Sequence, residues 1–179
     1  MSSARAHMLA DALASTRPLF DRFLDGFDEH NRTRQAPGMP NHAVWNLGHC
    51  ALTMWRVRTV IGGVDVLPSG YLIRGAGAGA GPDRFDTETI SFGSLPADDP
   101  GRYPTLARAR VIFASAHDAL VRAVRELDDA SVERTIPYGM NRVPVPVRDM
   151  VMRMIFHNGT HAGQLTDLRR ALGMPSVIR

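Results

Sequence analysis

Lysine is absent from the 179-residue sequence, and its 21 basic residues are all arginine. The absence excludes chemistry that needs a lysine side chain, such as a Schiff base, pyridoxal phosphate attachment or the lysine of a P-loop. The arginines are scattered beside acidic residues, and the net charge is only +3. This pattern favours a solvated, paired surface over a nucleic-acid groove, so we expect no nucleic-acid partner.

Cysteine and long apolar runs are also scarce. The one cysteine, Cys50, excludes an internal disulfide and is compatible with a reducing compartment. We expect it to be a small buried helix residue, with a ligand or nucleophile role as the alternative. No apolar run approaches the roughly 20 residues that cross a bilayer, and the N-terminus lacks the features of a secretory signal. We therefore expect a cytoplasmic protein with no membrane partner.

Hydrophobic periodicity predicts an all-α chain with four long helices, in one domain over residues 1–179. The first helix covers residues 9–27 and is kinked or restarted at Pro18, with Ser15 or Thr16 able to cap the new turn. The second begins near residue 40 or 41 and runs to about residue 61. The third has Pro104 in its first turn and continues to residue 127.

The last helix is predicted from about Val147 to Leu172, where Gly173 and Pro175 end it. A short hairpin is expected just before it, within residues 134–145. Four long helices with one long crossover between the second and third predict a four-helix bundle.

The crossover, residues 62–102, is rich in glycine, proline and acidic residues. Within it, residues 75–81 alternate glycine and alanine, which we interpret as a flexible or tightly folded loop. A dinucleotide fingerprint is not favoured, because no strand is expected before the segment and no helix after it. Loops of this length are often functional. Tyr71, Phe85 and Phe92 indicate that parts of this one pack over something apolar.

Two histidines, His157 and His161, lie four residues apart on the last predicted helix. They are about 40° apart around the helix and one turn apart along it, the spacing at which one helix offers two imidazoles to one metal ion. They share the apolar side with Met154 and Leu165, where an unpaired imidazole is costly. A shared metal satisfies both; bonds to backbone or water are the alternative.

A third ligand has to come from another helix, and His49 in the second helix is the best candidate. It lies on the shoulder of that helix's buried stripe, next to Gly48, which lets a neighbouring helix or a ligand approach closely. His42, seven residues earlier on nearly the same side, is an alternative ligand or a residue that supports one. His117 in the third helix is a less favoured candidate.

Two segments carry a family pattern: Trp45-Asn46-Leu47-Gly48-His49, and residues 157–165, His-Asn-Gly-Thr-His-Ala-Gly-Gln-Leu, followed by Leu168, Arg169, Leu172, Gly173 and Pro175. These segments resemble the DinB-like (YfiT-type) family of metal-binding four-helix bundles. Helix order and the long crossover agree, so the resemblance covers the whole chain.

The resemblance implies that His49, His157 and His161 bind a divalent transition metal, usually zinc or nickel, with water completing the shell. It also implies a homodimer. Some relatives use low-molecular-weight thiols, such as bacillithiol or mycothiol, in transferase or isomerase reactions, and others form the metal-binding part of ergothioneine-pathway enzymes. Three neutral imidazoles with an open position suit zinc or a related ion, which activates bound water or binds a thiol as thiolate.

Further residues are expected around the site. Asn158 and Gln164 are candidates for orienting ligands or substrate, and Trp45 for lining a pocket, with ordinary packing as the alternative for each. The favoured function is a metal-dependent transferase acting with a low-molecular-weight thiol. A metal-dependent hydrolase is less favoured, because Asp149 and Asp167 lie off the histidine face. A non-catalytic metal-binding or small-molecule-binding module of the stress response, and a bundle with no metal, remain alternatives.

Overall fold

The computed structural model describes residues 3–62, 68–75, 80–139 and 141–178. Most of this structure is helical, which confirms the predicted class. The helices are α1 Ala4–Ala14, α2 Arg17–Phe23, α3 Ala43–Gly62, α4 Thr87–Ile90, α5 Leu106–Arg125, α6 Asp129–Glu133 and α7 Val147–Ala171, with a 3₁₀ turn at Pro100–Arg102. Two pairs of short strands accompany them: β1 Leu72–Ile73 with β2 Phe85–Asp86, and β3 Thr135–Tyr138 with β4 Val143–Pro146.

The long helices pack around a common core. Helix α3 contacts α5 and α7, α1 contacts the same two helices, and α2 contacts α7. Fully buried side chains fill the space between them, among them Leu13, Phe20, Met54, Leu120 and Leu165. Within the described ranges, no helix is both long enough and apolar enough to span a membrane.

The first predicted helix is broken, and Pro18 lies in the first turn of α2 as expected from its fixed φ and missing N–H. The Leu13 carbonyl at the break accepts from the Thr16 backbone N–H at 3.0 Å, the Thr16 hydroxyl at 2.8 Å and His117 Nε2 at 3.1 Å. Thr16 therefore does not cap α2 with its side chain, because its hydroxyl donates back to α1. The helix also stops at Phe23 rather than at residue 27, and Gly26 turns the chain with a φ of +78°.

Two other helix starts differ from prediction by a few residues. Helix α3 begins at Ala43, after the expected residue 40 or 41. Helix α5 begins at Leu106, and its N-cap is Thr105, whose side chain accepts from the Arg108 N–H, so Pro104 precedes the helix instead of forming its first turn. Helix α7 matches its prediction within one residue, and Gly173 follows it with a φ of +71°.

The hairpin before α7 is confirmed: β3 and β4 pair antiparallel, from Thr135 opposite Pro146 to Tyr138 opposite Val143. The turn between them includes Met140, which lies outside the described residues.

The crossover is more ordered than the sequence indicated. Strand β1 pairs parallel with β2, in the register Leu72 with Phe85, and α4 follows β2 directly. The expectation that no strand precedes the glycine-alanine segment and no helix follows it was wrong, because β1 lies before it and α4 after it. Residues 76–79 of that segment lie outside the described part. Of the three aromatic residues, Phe85 is fully buried and Tyr71 partly buried, whereas Phe92 is 93% exposed, so the prediction that it packs over something apolar is wrong for the described structure.

Candidate metal centre

The structure brings the three predicted histidines together across two helices. His49 of α3 and His157 and His161 of α7 offer ring nitrogens that all lie within 4.8 Å of one another. The Nε2 atoms of His49 and His157 are 3.1 Å apart. Two nitrogens bound to one tetrahedral zinc at about 2.0–2.1 Å would be separated by roughly 3.4 Å. The separation of these two nitrogens is therefore close to the separation that a shared divalent ion requires.

The hydrogen bond of His49 to the crossover determines which of its nitrogens is free. Its Nδ1 lies 2.8 Å from the backbone carbonyl of Ile90, at the end of α4. A carbonyl can only accept, so Nδ1 carries the proton and Nε2 presents a lone pair. That nitrogen is the one that lies 3.1 Å from His157 Nε2, as in protein metal sites where the second ring nitrogen is held by an acceptor.

Asn46 does the same for His161. The Asn46 amide nitrogen donates to the His42 carbonyl at 3.1 Å, which leaves its Oδ1 to face His161 Nδ1 at 2.7 Å. His161 Nδ1 must then be the donor, and its Nε2 is left unprotonated. Asn46 lies one helical turn before His49 and is fully buried, so one turn of α3 supplies both a candidate ligand and the support of another.

The surroundings of the three imidazoles favour their neutral form. Burial is the main cause that lowers the pKa of each of them below 6.5, and the neighbouring histidines lower the pKa of His157 and His161 further. Neutral imidazole is the form that coordinates a metal. His49 and His161 are buried and His157 is half-buried, so the cluster reaches the surface at His157.

Trp45 and the crossover cover the cluster from the α3 side. The Trp45 ring stacks on His49 with a centroid distance of 4.6 Å and an angle of 8°. Its Nε1 donates to the Ser94 hydroxyl at 3.1 Å. Gly48 permits the contact between α3 and the crossover: a Cβ there would lie 2.6 Å from the Phe85 ring. Ile90 of α4 would lie 3.0 Å from the same Cβ, so the close approach that the sequence suggested at Gly48 is made by β2 and the short helix α4 of the crossover.

Comparison with known proteins places the chain in a family. The sequence profile of the DinB superfamily matches residues 12–165. The chain belongs to the DinB superfamily. A conserved protein of Enterococcus faecalis, known from a crystal structure, has the same fold: the TM-score is 0.72 at 14% sequence identity, over 97% of this chain and 99% of that one. Among curated proteins, no significant match was found.

The other residues predicted for this DinB-superfamily site lie around it. His42 is fully buried, and its Nδ1 accepts from the Trp45 N–H at 3.1 Å, so it supports the start of α3. Burial, with a smaller effect of the Arg32 charge, lowers the pKa of His42 to about 4. The Tyr103 ring meets it edge-on at 4.7 Å. His42 is not part of the three-histidine cluster.

Two predicted orienting residues have different surroundings. Gln164 accepts from Asn41 at 2.9 Å and lies close enough to His161 to raise the pKa of that histidine. Asn158 is fully buried and its amide nitrogen donates into the core, to Thr16 at 3.3 Å and to the Met54 sulfur at 3.6 Å. Its side chain also lies close enough to His157 to raise the pKa of that histidine.

The less favoured candidates are structural. The His117 ring hydrogen-bonds to Leu13 and Thr16 at the break between α1 and α2, and His117 is not one of the three clustered histidines. Cys50 is fully buried, and burial raises the pKa of its thiol well above the usual value. This is the environment of a small core residue, as the sequence suggested.

Sequence reasoning missed the roles of Asn46, Ile90 and Ser94. Asn46 could have been found, because it lies on the same face of α3 as His49 and belongs to the family-like segment. Ile90 acts through its backbone carbonyl, which no side-chain pattern reveals. Ser94 lies in the crossover, where no periodicity indicates which residues approach α3.

Proposed function

We propose that His49, His157 and His161 bind a divalent transition metal, with zinc or nickel as the ions their donor set suits. The observation that carries this proposal is the pair of acceptors, Ile90 carbonyl and Asn46 Oδ1, that hold the Nδ1 protons of two histidines. Both Nε2 atoms are thereby left with a lone pair that a metal ion could accept. Three protein ligands leave at least one coordination position for a small molecule, as in catalytic sites.

We further propose that the bound metal serves a transferase reaction with a low-molecular-weight thiol. A divalent ion supplies Lewis acidity, which lowers the pKa of a thiol that it binds. The chain has no thiolate of its own, because Cys50 is buried and its pKa is raised. The sulfur nucleophile would therefore come from the ligand. In such a transfer, sulfur bonds to the electrophile, the leaving group departs with its electron pair, and the thiol proton passes to solvent.

The hydrolase alternative has less support from the geometry. The cluster contains no carboxylate among the described residues. Asp149 lies beside Arg148 and is about half exposed, and Asp167 is paired with Arg170 on an exposed surface. Neither is placed to act as a general base beside the histidines.

Turnover with a thiol tests the proposed reaction. Metal-loaded protein should accelerate the loss of an electrophile such as 1-chloro-2,4-dinitrobenzene in the presence of cysteine or a cysteinyl sugar thiol. His161→Ala should abolish the acceleration, and Cys50→Ala should retain it. Equal rates in metal-free and metal-loaded protein would contradict the proposal. Metal binding without turnover for any thiol would leave the non-catalytic binding module as the function.

We propose that the fold is a four-helix bundle, because α1 and α3 each pack against both α5 and α7.

We also propose that the protein is a homodimer and is located in the cytoplasm. Its support is the exposure of Phe92, Leu95 and Phe156, three large apolar side chains that association would cover. Sedimentation equilibrium at micromolar concentration tests the dimer, and a monomer mass would refute it.

A further inference from the structure

Two neighbouring residues of α7 each hold a buried polar atom that has no hydrogen-bond partner among the described residues. The atoms are Nδ1 of His157 and Oδ1 of Asn158. The Asn158 side chain lies close enough to His157 to raise the pKa of that histidine, yet the two atoms are not bonded. A buried polar atom without a partner is costly and uncommon, so this pair calls for a physical explanation.

The tautomer of His157 explains why the bond is not made. His49 carries its proton on Nδ1, because Nδ1 donates to the Ile90 carbonyl, so His49 Nε2 has a lone pair. His157 Nε2 lies 3.1 Å from that atom. Two lone pairs would repel at this distance, so without a metal His157 carries its proton on Nε2 and donates to His49. Its Nδ1 then has a lone pair and cannot donate to the Asn158 oxygen.

Thr16, at the break between α1 and α2, determines which end of the Asn158 amide is free. The Thr16 hydroxyl donates to the Leu13 carbonyl at 2.8 Å, so it can only accept from Asn158 Nδ2, at 3.3 Å. The sulfur of Met54, a weak acceptor, lies 3.6 Å from the same nitrogen. The amide nitrogen is therefore held by the core, and Oδ1 is the end that remains for His157.

A bound metal reverses the requirement on His157. The nitrogen that binds a metal must offer a lone pair, and Nε2 is the His157 nitrogen that faces His49. The neutral ring must then carry its proton on Nδ1, which is buried. Asn158 Oδ1 is an acceptor for that proton, and it is already present beside the ring.

We propose that Asn158 is the positioning residue of His157: when a metal binds, the ring proton moves from Nε2 to Nδ1, and Asn158 Oδ1 accepts a hydrogen bond from it. One proton leaves Nε2 for solvent and one is taken up at Nδ1, so the charge of the ring does not change. Thr16 orients the amide for this bond. The proposal rests on the proposed metal centre and is independent of the thiol reaction.

Nuclear magnetic resonance of the full chain with ¹⁵N-labelled histidine rings reports the tautomer directly. Without zinc, the His157 proton should be on Nε2, and with one equivalent of zinc it should be on Nδ1. The spectrum of His157→Gln identifies the signals of this ring. The same tautomer with and without zinc would overturn the proposal.

Zinc affinity, measured by competition with a chromophoric chelator, tests the role of Asn158. Asn158→Leu has a similar volume but no acceptor, and its affinity should fall about 10- to 100-fold. Urea unfolding without metal checks that the variant is folded. An affinity equal to that of the wild type would overturn the proposal and leave the metal centre standing, whereas no zinc bound by the wild type would overturn both.

Thr16 provides a second test that leaves Asn158 in place. Thr16→Val keeps the shape of the side chain but cannot accept from the amide, which is then free to turn over, so affinity should fall about three- to tenfold. Thr16→Ser restores the hydroxyl and should bind zinc within about twofold of the wild type.

Ser15→Ala is the matched control for Thr16→Val. It removes the adjacent hydroxyl, which donates to the Ala12 carbonyl at 2.7 Å and makes no bond to Asn158 among the described contacts. Its zinc affinity should stay within about twofold of the wild type. Equal weakening in Thr16→Val and Ser15→Ala, or a Thr16→Ser variant as weak as Thr16→Val, would contradict the proposed orientation of the amide.

Discussion

Asn46 offers a test of how the metal centre is held, because two substitutions separate its donor from its acceptor. Asn46→Leu removes both the amide donor to the His42 carbonyl and the Oδ1 acceptor for His161. Asn46→Asp removes the same donor but keeps an acceptor oxygen. Any difference between the two variants therefore reports the 2.7 Å bond to His161 Nδ1.

The expected magnitude follows from burial. Asn46 is fully buried, so in the Leu variant the His161 Nδ1–H loses its partner in a place that water does not reach. An unsatisfied buried donor costs about 1–3 kcal/mol. The ring can avoid this cost by moving its proton to Nε2, the nitrogen that the metal needs. We expect zinc affinity to fall roughly 10- to 100-fold in Asn46→Leu, and by only about threefold in Asn46→Asp, because carboxylates serve as histidine acceptors in metal sites.

Competition with a chromophoric chelator measures these affinities. Urea unfolding of the metal-free variants supplies the control for folding, and Asn46→Asp should be the less stable of the two, because its carboxylate is buried against the His42 carbonyl. Equal zinc affinities in the Leu and Asp variants would refute the assignment of the His161 tautomer. So would unchanged affinity in Asn46→Leu.

Two further predictions concern stability. Gly48→Ala places a Cβ 2.6 Å from the buried Phe85 ring and should destabilise the protein by about 1–3 kcal/mol in urea unfolding. Gly62→Ala, whose Cβ would meet no atom of a described residue within 4 Å, should not. Burial lowers the pKa of His42 from 6.5 to about 4, so its protonation favours the unfolded state. Stability should fall between pH 6.5 and 4, by about 3 kcal/mol for this group. Metal-free His42→Asn should lose that much less stability over the same range; identical pH profiles would contradict the prediction.

The helices and the paired histidines could be read from the sequence because both depend on local spacing. The three-four repeat that predicted α7 also placed His157 and His161 on one face, one turn apart. The Pro18 break followed from the fixed φ and missing donor of proline. The position of the break depends on a distant group, His117 of α5, which bonds the Leu13 carbonyl. Such a contact leaves no local pattern.

The crossover could not be predicted, because its order comes from packing against α3. Gly48 leaves room for the buried Phe85 ring, which belongs to β2, and α4 follows β2 directly in the chain. The strands β1 and β2 are each only two residues long, too short for apolar and polar residues to show the alternation of a strand. The crossover also supplies the Ile90 carbonyl that bonds His49. Because the structure of the crossover could not be predicted, this bond could not be predicted either.

Elemental analysis of untagged protein tests the central claim most directly. Protein equilibrated with zinc and freed of excess by gel filtration should carry one equivalent of zinc per chain. His161→Ala should lose it, and His30→Ala, which removes an exposed histidine, should retain it. Equal zinc in wild type and His161→Ala, or less than stoichiometric zinc in all three proteins, would contradict a metal centre built from His49, His157 and His161.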